Sequence, residues 1–141
     1  MSIPMILAPL FVQVLLTFAV MIGMMVFRTK ALQSGETRFQ DIAMREQRWP
    51  HQAALFANCF GNQFELPVLF YVLTILAMMT KHADLLFVLL AWVFVVFRIL
   101  QATIHITSNN VQFRGGYYFV AALVLLIMWL IFIVKIMLGL P

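Results

Sequence analysis

Apolar residues fill four long runs in this chain, at about 3–27, 52–79, 85–106 and 116–138. Polar residues are confined to the segments between the runs and to isolated positions inside them. Each run reaches the ~20 residues that a helix needs to cross the hydrocarbon of a bilayer. Transmembrane strands would be ~9–11 residues long and would alternate in polarity. These runs are continuous, so the pattern predicts four spanning helices. The connections are unequal: residues 28–50 form the one long polar segment, while 80–84 and 107–114 are short links. Pro50 suits the first turn of the second helix, where its missing N–H costs nothing. Pro67 falls well inside that helix and predicts a kink, with neighbouring helices satisfying the freed carbonyl.

Composition narrows the class. Of 141 residues, 65% are hydrophobic and 10% charged, and the mean hydropathy is +1.03. A soluble domain carries about 45–50% apolar and about 25% charged residues. So small a soluble fold could not hide this much apolar surface. Disorder, a nucleic-acid module and a disulfide scaffold do not fit either. The expected fold is all-α, a single polytopic four-helix domain over residues 1–141. The chain's start lacks the basic segment of a cleavable signal peptide, so the first run is expected to be a retained span.

The net charge of +4 gains meaning from where the charges lie. Arg28, Lys30, Arg38, Arg45 and Arg48, five of the nine basic residues, fall in the first loop; Glu36, Asp41 and Glu46 offset them in part. Orientation follows Lys and Arg rather than net charge. The first loop is therefore expected to be cytoplasmic, with both termini on the opposite side. The same basic loop suits contact with anionic membrane lipid.

Two ionisable residues stand inside spans, Glu65 in the second and Arg98 in the third. Each costs roughly 2.5–3.5 kcal/mol on insertion scales, so each needs a reason to be there. Asn58, Asn62 and Glu65 are spaced four and three apart, with His51 earlier on the same stripe. Arg98, Gln101, His105 and Ser108 are spaced three, four and three. Such offsets put side chains on one helical face. Arg114 opens the fourth helix, with Tyr117 and Tyr118 after it. At 1.5 Å per residue, Asn62 lies roughly 15 Å and Arg98 roughly 12 Å from the inner ends of their helices. Three polar stripes at one depth predict a pocket open to the cytoplasmic interface. Glu65 and Arg98 could instead form a buried ion pair that fixes helix register, with the Asn residues as interhelical glue. The donors favour a ligand: two arginines face one carboxylate, and Arg binds carboxylates in bidentate fashion.

Other residues have plainer readings. Cys59 is a small packing residue off the polar stripe. Ala53, Ala57 and Gly61 recur every four residues and let another helix approach closely. His51, His82 and His105 lie on different elements without the spacing that zinc needs, so no metal site is expected. Trp49 is an interfacial anchor. The first span carries Gln13 and Thr17 but no charge, which argues against a small proton-coupled exporter with a carboxylate there.

The segment Asn62-Gln63-Phe64-Glu65-Leu66-Pro67 resembles the second helix of the MAPEG family, the membrane-associated proteins in eicosanoid and glutathione metabolism. Arg98 through His105, followed by Arg114, resembles that family's third helix and the start of its fourth. The four-span plan and the long basic first loop agree, so the resemblance covers nearly the whole chain. It implies a homotrimer with glutathione as cosubstrate, bound between neighbouring subunits. By position, Asn62 and Glu65 would hold the peptide's amino and amide groups, Arg98 a carboxylate, and Arg114 the thiolate. Asn58, His105 and Tyr118 would line the same pocket. A cation beside a thiol favours its nucleophilic form, so a lipophilic electrophile could be attacked from the membrane. The departures are Asn58 where members carry an Arg, Gln101 where a His is common, and His105 where eicosanoid-synthesising members have a Tyr. A non-catalytic membrane trimer with a structural polar cluster is the alternative.

Overall fold

The computed structural model describes residues 2–43 and 49–141; Arg45, Glu46 and Arg48 of the basic loop lie outside the described residues. Every regular element among the described residues is helical: α1 (Ile3–Ser34), a short 3-10 turn (Phe39–Ile42), α2 (His51–Asn62), α3 (Leu66–Met79), α4 (Leu85–Ile106) and α5 (Val111–Met137). The helices α1, α4 and α5 each span by length and composition, and α2 with α3 makes the fourth span, His51–Met79.

Capping explains where the helices overrun the apolar runs. α1 continues past residue 27 to Ser34 and stops at Gly35, whose φ of 81° is the left-handed conformation that closes a helix. α4 is capped by Asp84, just ahead of Leu85: the Asp84 side chain accepts from the Phe87 N–H at 2.9 Å. α5 starts at Val111, five residues ahead of its apolar run, because the Asn110 side chain accepts from the N–H groups of Gln112 and Phe113 at 3.1 and 3.4 Å. Arg114 therefore lies inside the first turn of α5 rather than at its opening.

The second span departs most from expectation. A kink was expected at Pro67; instead the helix ends at Asn62 and restarts at Leu66, with Pro67 buried in the first turn of α3. Proline cannot donate to the carbonyl four residues back and clashes with it. The chain answers by opening residues 63–65 just ahead of it. In an apolar interior every freed carbonyl needs a donor, and the last four of α2 all find one. Cys59 O accepts from Gln63 Nε2 at 3.0 Å. Phe60 O, Gly61 O and Asn62 O accept from the backbone N–H of Gln63, Phe64 and Glu65 at 3.0, 3.1 and 3.3 Å. Asn62 O also takes Nη2 of Arg98 from α4, at 3.2 Å.

α4 is the central helix and packs against α5, α1 and α2. Phe87, Val88, Ala91, Phe94 and Val95 on α4 meet Phe70, Leu73 and Ala77 on α3, Ala121, Leu125 and Met128 on α5 and Ile6 on α1. A smaller cluster of Val20, Cys59 and Ala102 lies under α2. Polar ties fix the two ends of the bundle. At one end Gln52 Nε2 donates to Ile106 O at 3.0 Å. At the other, Lys135 Nζ meets Asp84 Oδ2 at 2.8 Å, and His82 Nε2 lies 2.9 Å from Leu140 O.

Candidate functional site

The face of the break that turns away from α1 opens into a cleft of about 700 Å³ between α2, α4 and α5. It is lined by Asn58, Asn62, Glu65, Gln101, His105, Arg114 and Tyr118, with the small residues Ala57, Gly61 and Gly115 between them. Part of each of the three stripes meets here. Asn58 and Asn62 come from two successive turns of α2, Glu65 from the open segment beyond them. Gln101 and His105 are one turn apart on α4, and Arg114 and Tyr118 one turn apart on α5.

Arg98 is placed differently. It is fully buried and stands behind the cleft wall rather than on it. Its guanidinium carbon lies 5.8 Å from the centre of the Tyr118 ring. Nη2 holds Asn62 O, while Nε and Nη1 have no partner. No ion pair with Glu65 forms: Glu65 instead accepts from the Tyr118 hydroxyl at 3.0 Å. A buried polar atom without a partner costs free energy that the fold normally avoids. Gln101 Oε1 and His105 Nδ1 are two more such atoms, and both residues line the cleft. Arg114 is half-buried, with Nη1 donating to Asn109 Oδ1 at 2.7 Å. Asn109 has a φ of 50°, in the left-handed region that Asn tolerates better than most side chains.

The remaining sequence candidates fall outside. His51 sits exposed at the start of α2, and Ser108 lies in the turn after α4. Cys59 is fully buried under α2, its thiol 4.0 Å from Ala102 O. Ala53 packs inside the bundle, but Ala57 and Gly61 from the same small-residue stripe line the cleft, and a methyl at Gly61 would meet nothing. The sequence pattern marked those positions for helix packing only. Gln63, beside Asn62 and Glu65, is a further buried amide that helical spacing does not single out. A second amide inside an apolar span was the available signal.

Chemically the cleft offers a cation on its wall, a carboxylate with a phenol on it, three amides, an imidazole and a covered guanidinium behind. That set suits a ligand carrying both carboxylates and an amine or amide. No curated protein and no solved structure matches this chain. A family model does match, that of the MAPEG family, over residues 6–134. Matched across nearly all of its length, the chain belongs to the MAPEG family.

Proposed function

We propose that this protein is a glutathione-dependent transferase or peroxidase acting on lipophilic electrophiles in the membrane. The observation that carries the reading is the excess of arginine over carboxylate around one cleft: Arg114 on its wall and Arg98 behind it, against Glu65, which already accepts from Tyr118. Family membership supports the same ligand. Glutathione supplies a thiol, two carboxylates and one amine. Glu65 and Asn62 would hold the amino and amide groups, with Asn58, Gln101 and His105 along the peptide. The unpartnered N–H groups of Arg98 would take a carboxylate once the Tyr118 ring shifts off the guanidinium. Arg114, with Asn109 holding one side of its fork, would keep the thiol proton-free by charge. In conjugation a carbon–sulfur bond forms and the leaving group departs with its electron pair. The subunits would assemble as a homotrimer, with the first loop cytoplasmic and both termini on the opposite side.

The test is direct. Purified protein is mixed with glutathione at about millimolar concentration, thiolate is followed by ultraviolet difference, and conjugation of a general electrophile is measured. Binding with thiolate formation and product is the expected result. The absence of both binding and conjugation would overturn the reading.

A second reading is favoured by one observation: Arg98 spends its only bond on Asn62 O, inside the fold. On this reading the cluster is structural and the protein a non-catalytic membrane trimer. Arg114→Ala would then leave glutathione binding unchanged, and Glu65→Ala would loosen the assembly. Glutathione raising the melting temperature of the wild type counts against it.

A further inference from the structure

A buried polar group that takes no part in the cleft lies on its far side, where α1 meets the break. Gln13, in the first half of α1, is fully buried and donates from Nε2 to Gln63 Oε1 at 2.8 Å. Gln63 is also fully buried, and its own Nε2 donates to Cys59 O. Thr17, one turn on from Gln13, bonds back to the Gln13 carbonyl at 3.1 Å, and both side chains also reach the Tyr71 hydroxyl on α3. An amide pair inside a bilayer is costly to insert, and hydrophobic packing of α1 does not call for one.

Its position gives it a use. Across residues 63–65 the regular helical ladder is interrupted, so backbone bonds alone leave the rotation of α3 relative to α2 weakly determined. Gln63 points toward α1, while its neighbours Asn62 and Glu65 line the cleft on the opposite side. Holding Gln63 therefore sets the direction of the other two. Arg98 grips the same segment from α4 through Asn62 O. The break is thus held between two helices by side chains.

We infer that Gln13 is a positioning residue: through Gln63 it fixes the register of the helix break and so aims Asn62 and Glu65 into the cleft, without touching a ligand itself. Its ligand readout rests on the glutathione reading above; its geometric readout does not.

The experiment reads the orientation of residue 65 directly. Glu65→Cys is labelled in detergent with a water-soluble maleimide, alone and together with Gln13→Met. Asn58→Cys, upstream of the break, is the paired control. The only other thiol, Cys59, is buried, so the wild type is the blank. Gln13→Met should change labelling at position 65 by about threefold, the weight of one interhelical hydrogen bond in a membrane. Position 58 should hold its rate. In the protein without added cysteines, Gln13→Met should weaken glutathione binding by a similar factor. Should Gln13→Met not fold, Gln13→Asn, one methylene too short to reach, is read in the same way. Unchanged labelling at position 65, or an equal change at 58 and 65, overturns the inference. A wild type that fails to bind glutathione overturns the proposed function and leaves the labelling result to decide this one.

Discussion

Arg98→Met separates a guanidinium kept for binding from one kept for folding. Arg98 is fully buried, and only its Nη2 is partnered. An arginine near the centre of a span costs ~2.5–3.5 kcal/mol on insertion scales. Against that, a hydrogen bond from a charged donor returns ~1.5–3 kcal/mol, and a ring contact such as that with Tyr118 returns ~0.5–2 kcal/mol, rising with desolvation. The two sides cancel to within ~1 kcal/mol. Methionine is unbranched and flexible enough to fill the vacated space, and Asn62 O keeps the Glu65 N–H at 3.3 Å. Ligand-free Arg98→Met should therefore unfold within ~1 kcal/mol of the wild type. A buried structural pair behaves otherwise: removing one partner costs ~3–5 kcal/mol. The assay is reversible unfolding in mixed micelles, followed by circular dichroism, with and without glutathione. At 100 times its Kd, glutathione should add ~2.7 kcal/mol to the wild type and almost nothing to the variant. A ligand-free loss above ~3 kcal/mol would show that Arg98 is part of the framework and refute the reasoning.

Other residues allow shorter tests. A methyl at Gly23 would overlap the Phe56 ring, which stacks on Phe27 at 5.1 Å, so Gly23→Ala should cost about 1–3 kcal/mol by thermal unfolding; a neutral effect would mean that α1 and α2 can part freely. Asn109→Gly keeps the left-handed backbone and removes the 2.7 Å bond to Arg114. It should lower conjugation kcat by about tenfold while shifting KM little, since it loosens a group placed for the reacting thiol. Lys135 and Asp84 make a pH test. Burial works against the charged Asp84 carboxyl, but the hydrogen bonds from Lys135 and the Phe87 N–H, with the Lys135 charge, outweigh it and hold the carboxyl below its usual 3.8. The resulting stability is complete above 3.8 and is lost as pH falls through the lower folded value. Asn caps a helix about as well as Asp, so Asp84→Asn should leave near-neutral stability within ~1 kcal/mol. It should also flatten the acid limb of the melting curve; an unaltered limb would exclude the pair as its source.

The spans were legible because a bilayer imposes one rule on length and polarity, and four runs met it. The ends were less so. Residues 28–34 and 111–115 are polar enough to read as loop, yet Gly35 and Asn110 let the helices run on to them. The break in the second span was hidden for a different reason. Pro67 announces a disturbance but not its side, and the choice depends on donors from other helices. Gln13 and Arg98 supply them from 50 and 36 residues away, a pairing that no local pattern contains.

The same limit governs the cleft. Periodicity gathers residues by face, and it brought Asn58, Asn62 and Glu65, His105, Arg114 and Tyr118 to one opening. It does not say how deep along a face the opening reaches. Gln101 and His105 fall on the wall, while Arg98, on the same stripe of α4, falls behind it under the Tyr118 ring. Depth is decided by the neighbour's size: Gly61, Ala57 and Gly115 leave room along the cleft, and the Tyr118 ring covers the Arg98 guanidinium. The polar cluster and the helix break are therefore one construction. Opening residues 63–65 frees Glu65 from helical geometry so that it can meet Tyr118. It also presents the carbonyl that keeps a guanidinium buried in an apolar span.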